Sequence, residues 1–255
     1  MLAGMPRSNA LVLGAIVMSV AFTVAACAGR SFVIPPPEVR YPAPAPVRSV
    51  GPGDHYVDAL VAKLATDPLI LHSDQTTKGT ASYESESANL SAELDTTVTM
   101  DLSGRDQKMI IVSKTPAGKT STMDLVVVGK TVYSRLDGGR WMKSSRVDYE
   151  RSRTDVARAY RLVKNPAYLR YVGLETVDKK QLHHVTAIRD IPFISLTELN
   201  GTYTLLDIWV EEDGTPVLIK GTFTTVVDYG IEITGTSEMR ISKFGGPIKI
   251  AAPKK

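Results

Sequence analysis

The feature that most constrains this chain is an apolar segment near its beginning that ends at the only cysteine. The segment runs over 17 residues from Ala10 to Ala26, follows a short start that contains Arg7, and leads through small residues into Cys27. A basic start, an apolar middle and small residues before a cut are the layout of a secretory signal. The alternative is an uncleaved membrane-spanning helix, but such helices need about 17–25 residues, which puts this segment at the lower limit. We therefore predict that residues 1–26 are a signal peptide.

Cys27 is predicted to carry a membrane anchor. The residues Val24-Ala25-Ala26-Cys27 resemble a bacterial lipobox, in which the cysteine becomes the first residue and receives a diacylglyceryl thioether and an amide-linked acyl chain. Each buried CH₂ group adds about 0.8 kcal/mol to membrane binding, and two or more chains make the anchor stable. We therefore expect a lipoprotein that is attached to the cell membrane through Cys27 and faces the extracytoplasmic side.

The composition restricts what the exported part of the chain can be. Removal of residues 1–26 from the 255 leaves 229 residues, enough for one large domain or two small ones. Because the single cysteine is used by the anchor, the apolar core must stabilise the fold without a disulfide, and 43% of the residues are hydrophobic. The 30 basic and 27 acidic residues are mixed along the chain, so no nucleic-acid partner is predicted.

Residues 27–53 differ in character from everything that follows. They contain Pro35, Pro36, Pro37, Pro42, Pro44, Pro46 and Pro52. Proline fixes φ and removes an N–H donor, which favours an extended, semi-rigid spacer. A proline-rich motif for a partner is the alternative. Residues 54–251 are predicted to form a single domain, and residues 252–255 a short basic tail.

The residue pattern of this domain predicts helices first and then a large sheet. Apolar residues at three- and four-residue spacing predict a helix over residues 54–66, with Asp54 as its cap. A second helix is expected within residues 148–164, and a short helical piece near residues 168–171. Strict alternation predicts strands near residues 78–87, 94–102, 109–111, 123–127, 132–136, 141, 172–177, 183–189, 206–210, 217–223 and 231–241. Short turns join many of them, which indicates an α+β fold with an antiparallel sheet of about 10–11 strands.

One alternate set of residues in these strands is apolar and is predicted to face the helices. Its members are Val98, Met100, Met109, Ile111, Met123, Leu125, Val127, Leu206, Ile208, Ile219, Phe223, Ile233 and Met239. Flexible methionine side chains suit an adaptable lining, although a filled core would show the same pattern. Gly221 and Gly235 fall within this set, where they either leave room for a ligand or let the sheet bend.

Signals of catalysis or metal binding are weak. His183 and His184 are adjacent in a predicted strand, so their side chains point to opposite faces and cannot chelate a metal as a unit. The chain has no HExxH, CxxC or GxSxG motif. Asp54, next to His55, is interpreted as a helix cap and not as half of a catalytic dyad. We predict no enzyme activity, no metal and no cofactor. Carboxylates on the polar sides of strands are predicted to be solvated, namely Asp101, Asp124 and Asp207.

Basic residues accumulate between positions 140 and 164. They are Arg140, Lys143, Arg146, Arg151, Arg153, Arg158, Arg161 and Lys164. Such a cluster is typical of a solvated helix face. The sharper hypothesis is a landing surface for anionic lipid head groups.

The order of these features resembles the LppX/LprAFG lipoproteins of mycobacterial type, within the wider LolA-like group of lipoprotein carriers. The resemblance covers roughly residues 54–251. It is carried by residues 127–135, VVGKTVYSR, with Trp141 just after them, and by residues 207–217, DIWVEEDGTPV. It implies a strongly curved antiparallel half-barrel with helices over its concave face, and between them an apolar cavity for the acyl chains of a lipid or glycolipid.

On this interpretation the apolar set is the lipid-binding site. Exposing a 16-carbon chain to water costs on the order of 12 kcal/mol, so a carrier must enclose it. The expected partners are a lipid or glycolipid, the membrane through Cys27, and an envelope transporter or acceptor protein. The alternative is an anchored scaffold or sensor with a filled core, which binds a protein partner through its sheet face or its basic cluster.

Overall fold

The computed structural model describes residues 51–66, 68–85, 88–115, 118–146, 166–188, 190–194, 200–227 and 231–254. The predicted signal peptide, Cys27, the proline-rich spacer up to residue 50 and the predicted helix at residues 148–164 lie outside these ranges. Within the described ranges, no helix is both long enough and apolar enough to cross a membrane.

The alternating sequence folds into one antiparallel sheet, which has twelve strands in the described part of the chain. The strands are β1 Ile70–Ser85, β2 Ala88–Ser103, β3 Asp106–Lys114, β4 Thr120–Val128, β5 Thr131–Leu136, β6 Met142–Ser145, β7 Leu169–Val177, β8 Lys180–Ala187, β9 Ile191–Ile194, β10 Asn200–Val210, β11 Pro216–Val227 and β12 Ile231–Phe244. Their order is β6-β5-β4-β3-β2-β1-β12-β11-β10-β8-β7, and β9 pairs with β10. This open, curled sheet with a helix over it confirms the predicted α+β half-barrel.

The sheet consists of two meanders that meet at its middle. Strands β1 to β6 are neighbours in the sheet in the order of the sequence, and so are β10 to β12. Both runs form because short turns connect consecutive strands. The pairing of β1 with β12 joins the runs, with Leu71 opposite Phe244 and Ser82 opposite Glu232. These two strands are separated by most of the domain in sequence, so no local turn signal predicts their contact.

Several predicted boundaries were wrong. Strands β1 and β2 each have 16 residues and begin well before residues 78 and 94. Serine and threonine in both strands weaken the apolar alternation, but cross-strand hydrogen bonding extends over their whole length. The helical piece predicted at residues 168–171 is limited to a 3-10 turn at Pro166–Tyr168. Leu169 already belongs to β7, because it pairs with Ala187 of β8.

Helix α1, Asp54–Leu64, agrees with the predicted helix, but its cap does not. The N-cap residue is Gly53, and it makes no side-chain cap hydrogen bond. Asp54 is already helical, and its Oδ2 atom accepts a hydrogen bond from the Gly51 N–H at 2.7 Å. Asp54 therefore fixes the turn that enters the helix, while its negative charge still lies favourably in the first turn.

The apolar stripe of α1 packs on one end of the sheet. It forms a buried cluster, cluster 1, whose members are Tyr56, Val57, Leu60 and Leu64 of α1 with Leu169, Val185, Leu206, Ile208 and Val210 of β7, β8 and β10. The turn between β10 and β11 touches the other side of the helix. A Cβ atom on Gly214 would lie 2.5 Å from the Ala59 Cβ atom, so only glycine allows this approach.

Candidate functional site

The predicted apolar set lies on one face of the sheet, which we call the inner face. Strand register places Met100 opposite Met109, Met109 opposite Leu125, and Ile208 opposite Ile219. The α1 helix packs on the same face. All predicted members are buried or half-buried there: Val98, Met100, Met109, Ile111, Met123, Leu125, Val127, Leu206, Ile208, Ile219, Phe223, Ile233 and Met239. Their shared location agrees with the alternation argument, and their role in lipid binding stays a prediction.

The structure divides this set among three clusters. Leu206 and Ile208 belong to cluster 1 under α1. Cluster 2 contains Met100, Met109, Leu125 and Val127, with Ile219 and Met239 packed against it. Cluster 3 contains Phe223, Ile231 and Ile233, at the end of the sheet far from α1. Val98, Ile111 and Met123 are not part of these clusters.

Charged side chains of the sheet lie on the opposite face, which we call the outer face. In β2, for example, Asp95 and Asp101 alternate with the inward residues Val98 and Met100. Across β1–β5, β8 and β10–β12, no described Asp, Glu, Lys or Arg side chain shares the inward register. The described inner face of these strands therefore has no acidic, lysine or arginine side chain, and His183 is its one imidazole.

Burial of the inner face varies along individual strands beyond α1. In β2, Met100 and Leu102 are buried, whereas Val98 and Leu94 are half-buried. In β3, Ile111 is half-buried although its inward neighbour Met109 is buried. The part of the inner face that extends beyond α1 thus keeps exposed apolar surface.

A polar cluster ties α1 to the sheet at the margin of cluster 1. The rings of Tyr56 and His183 stack with centroids 3.5 Å apart. Glu212, in the β10–β11 turn, accepts a hydrogen bond from the Tyr56 hydroxyl at 3.0 Å and lies 2.8 Å from His183 Nε2. The Tyr171 hydroxyl is 3.1 Å from His183 Nδ1, so both ring nitrogens have partners.

The electrostatics of this polar cluster follow from its hydrogen bonds. The bonds from His183 and then Tyr56 lower the pKa of Glu212. Burial, together with the nearby Glu212 carboxylate, raises the pKa of Tyr56. Lys63 and Asp213 add an ion pair between α1 and the same turn at 2.6 Å. The arrangement stabilises the position of the helix.

His184 points to the outer face, as its position next to His183 predicts. Its Nδ1 lies 2.8 Å from Glu175 and its Nε2 lies 2.9 Å from Asp207, while its ring stacks on Trp209 at 4.6 Å. The hydrogen bond from the Trp209 N–H, followed by that from His184, lowers the pKa of Glu175. Both neighbouring carboxylates are therefore engaged in a fixed outer-face network.

The prediction that three strand carboxylates are solvated was wrong. Asp207 pairs with His184, and Asp101 lies opposite His72 with a 2.6 Å contact between Oδ1 and Nδ1. Asp124 lies opposite Arg135, which donates a hydrogen bond to it. The physical reason is cross-strand pairing, which brings each carboxylate within reach of a basic or imidazole partner on the neighbouring strand.

The two inward glycines do not leave room for a ligand. A Cβ atom on Gly221 would lie 2.6 Å from the ring of Tyr203, so that aromatic ring already fills the space. Gly235 lies opposite Gly79, and a Cβ atom there would lie 2.5 Å from the carbonyl oxygen of Lys78. Gly235 thus permits a close approach of two backbones where β1 and β12 join.

The basic cluster is only partly described, because Arg151, Arg153, Arg158, Arg161 and Lys164 lie outside the described residues. Arg146 is not a surface cation, since its guanidinium donates to the carbonyl oxygens of Gly129 and Arg105. Lys143 lies over the ring of Tyr133, 5.9 Å from its centroid. Arg140 is exposed. Arg146 therefore has a structural role, and the hypothesis that it faces a lipid surface is wrong.

The sequence analysis did not predict the position of some residues on the two faces of the sheet. Tyr203 and Tyr171 both face inward, but a bulge beside each interrupts strict alternation. Outer-face residues Leu182, Trp209 and Leu218 form a small buried cluster of their own. In the described part of the chain, no group of three or more His, Cys, Asp or Glu side chains is placed to hold a metal ion.

The solved structures that are similar to this chain include the three described below. No family model matches the chain, and no curated protein does. A DUF1329 family protein from Desulfovibrio piger is 13% identical, with coverage of 79% of this chain and 96% of that one and a TM-score of 0.26. A putative outer membrane lipoprotein-sorting protein domain from Vibrio parahaemolyticus is 8% identical, covers 77% and 94%, and has a TM-score of 0.24. A LolA superfamily protein from Nitrosomonas europaea is 9% identical, covers 78% and 94%, and has a TM-score of 0.22.

Proposed function

We propose that this chain is a lipid-anchored, extracytoplasmic lipoprotein of the LppX/LprAFG type. It binds the acyl chains of a lipid or glycolipid on its inner face and carries that lipid within the cell envelope. Cys27 holds the protein at the membrane, and the proline-rich residues 27–53 form the spacer. An envelope transporter or acceptor protein is the proposed partner in transfer.

The observation that carries this proposal is the uncharged, partly exposed inner face beyond α1. Val98 lies opposite Ile111, and Ile219 lies opposite Met239; all four are half-buried, and Gln75 of β1 separates the two pairs. Contact with such a surface removes each CH₂ group of an acyl chain from water, which is worth about 0.8 kcal/mol. Methionine among these residues lets the surface adapt to different chain shapes.

Adjacent isoleucines in β3 provide a matched test. Ile111 is half-buried on the inner face, and Ile110 is half-buried on the outer face. Ile111→Trp places a large ring where the acyl chain would lie, whereas Ile110→Trp makes the same change on the other side. The full chain with Cys27→Ala is used for both, so that covalently attached lipid is not mistaken for bound lipid.

The readout is lipid released by organic extraction and titration with a fluorescent fatty acid. We expect wild-type lipid uptake in Ile110→Trp and at least a tenfold weaker uptake in Ile111→Trp, with circular dichroism unchanged in both. Equal uptake by the two variants would show that the inner face does not hold the lipid.

A second function is favoured by the depth of burial near α1. Ile208 and Val210 of cluster 1 have 0% exposure, as in a completely filled core. An anchored scaffold or sensor that binds a protein partner would have such an interior. In that case the full chain with Cys27→Ala yields the mass of bare polypeptide in native mass spectrometry and takes up no fluorescent fatty acid.

A further inference from the structure

A lateral row of side chains on the outer face has a lysine at each end. Lys108 of β3 lies opposite Val126 of β4, and Val126 lies opposite Tyr133 of β5. Lys143 of β6 ends the row, because it lies opposite Tyr133. The Cα atoms of the two lysines are therefore separated by the width of three strand spacings, about 14 Å. Both lysines are exposed.

The adjoining turns add two further cations. Arg105 lies in the β2–β3 turn and Lys130 in the β4–β5 turn, and both are exposed. Arg146 holds the two turns together, because its guanidinium donates to the carbonyl oxygens of Gly129 and Arg105. The backbones that carry Arg105 and Lys130 are thus kept close together, at the end of the strands that form the row.

The carboxylates near these four cations have other partners. Asp101 lies opposite Lys108, but its Oδ1 atom is 2.6 Å from His72 Nδ1. Asp106 accepts a hydrogen bond from the Gly129 N–H at 3.0 Å. Within the described part of the chain, no acidic side chain forms an ion pair with any of the four cations. Their positive charge is therefore available to a partner outside the domain.

Two aromatic side chains lie among these cations. The Lys143 Nζ atom is 5.9 Å from the centroid of the Tyr133 ring, and the Arg135 guanidinium lies over the Trp141 ring at 4.6 Å. Both rings are half-buried. Tyrosine and tryptophan are enriched at membrane–water interfaces, because each has an apolar body and a polar group. Lysine behaves similarly there, since its apolar stem lies along the surface while its ammonium stays in water.

An anionic bilayer surface matches both the cations and the rings. The phosphate groups of such a surface attract lysine and arginine side chains. An acidic polypeptide would also match the cations. However, the proposed anchor at Cys27 keeps the domain beside a bilayer, so that docking is an intramolecular step and a modest affinity is sufficient.

We propose that this surface docks the anchored domain on the anionic lipid head groups of its own membrane. We call it the outer basic patch, and it is formed by Arg105, Lys108, Lys130, Tyr133, Trp141 and Lys143. The inference goes beyond acyl-chain binding on the inner face. Its choice of a bilayer as the partner rests on the anchor in the proposed function.

The two tryptophans of the chain give a readout that depends on position. Trp141 belongs to the outer basic patch, whereas Trp209 is in β10, and six strands lie between β10 and β5. The protein is reconstituted in vesicles that contain brominated phosphatidylcholine, with or without phosphatidylglycerol. Bromine quenches tryptophan on contact, and the quenching that is lost in Trp141→Phe belongs to Trp141.

Two pairs of lysines on the outer face provide the matched variants. Lys108→Gln with Lys143→Gln removes two charges from the patch. Lys78→Gln with Lys114→Gln removes two exposed charges that lie beside Asp95. Lys114 is six residues from Lys108 along β3, about 20 Å away.

Trp141 should be quenched on vesicles with phosphatidylglycerol and not on neutral vesicles, and salt should reverse the quenching. Trp209 should be quenched on neither. The patch variant should lower the ratio of docked to undocked domain about 30-fold, which corresponds to about 2 kcal/mol for two lysines. The control variant should behave as wild type, with circular dichroism unchanged in both.

Three results would overturn the inference. The first is equal quenching of Trp141 on neutral and anionic vesicles. The second is equal quenching in the patch variant, the control variant and the wild type, or an equal loss in both variants. The third is a Trp141 signal that responds to polyglutamate but not to anionic vesicles, which would make the partner an acidic polypeptide.

Failure of the anchor is distinguishable from failure of the patch. If the wild-type protein does not float with neutral vesicles, the anchor in the proposed function is wrong. Quenching of Trp141 by anionic vesicles added to the same protein, and its loss in the patch variant, would then support the patch without the anchor. Absence of that quenching would overturn the patch as well.

Discussion

Gly214→Ala tests whether contact with the β10–β11 turn holds α1 in position. The residue has a φ of 80°, and its added Cβ atom would lie 2.5 Å from Ala59 Cβ and 2.8 Å from the Leu60 nitrogen. A left-handed conformation costs a non-glycine residue about 1–2 kcal/mol. Overpacking against the helix adds about 1–3 kcal/mol. We therefore expect the free energy of unfolding to fall by about 2–5 kcal/mol.

Gly138→Ala separates these two costs. Gly138 also has a positive φ, 68°, but a Cβ atom there would meet no heavy atom within 4 Å. It should lose only the conformational part, about 1–2 kcal/mol. The assay is urea unfolding followed by circular dichroism, with the slope of the transition compared between variants.

The difference between the two variants is the quantity of interest. A loss at Gly214 that exceeds the loss at Gly138 by about 1–3 kcal/mol would measure the contact with α1. Losses that agree within experimental error would mean that the helix shifts without cost, and that it is not fixed over cluster 1 by this turn.

Two further predictions concern charged contacts. The pKa of Asp213 is lowered from 3.8 to about 2, first by the Lys63 hydrogen bond and then by Thr215. The stability that the ionised Asp213 contributes is therefore complete above about pH 4 and is lost as the pH falls through about 2. Lys63→Met should shift the acid unfolding midpoint to higher pH. An unchanged midpoint would contradict this. Arg146→Ala should lower the free energy of unfolding by about 1.5–3 kcal/mol, because the hydrogen bond to the Gly129 carbonyl oxygen is lost. A change in vesicle binding with unchanged stability would instead support the hypothesis that Arg146 faces a lipid surface.

Alternation in the sequence was sufficient to predict the composition of the inner face. Met100, Met109 and Leu125 could be placed together because side chains in a strand alternate, so a single correct strand assignment fixes the face of every residue in it. The same logic put His183 and His184 on opposite faces. Alternation failed at Tyr203 and Tyr171, because a bulge shifts the register by one residue and no local signal reveals it.

Pairing between strands that are distant in the chain could not be predicted from the sequence. Thr77 lies opposite Ser237 only because β1 pairs with β12. Asp101 and Asp124 looked solvated because their partners, His72 and Arg135, lie on neighbouring strands. Gly221 looked like vacant space because the Tyr203 ring that covers it comes from β10.

The sequence by itself determined which residues turn inward, where α1 lies and that the fold is an antiparallel α+β sheet, because those properties depend on periodicities within a few residues. Tertiary structure decided which inward residues touch, how deeply each is buried and which charges are paired. Those properties depend on contacts between segments far apart in the chain, and periodicity contains no information about them.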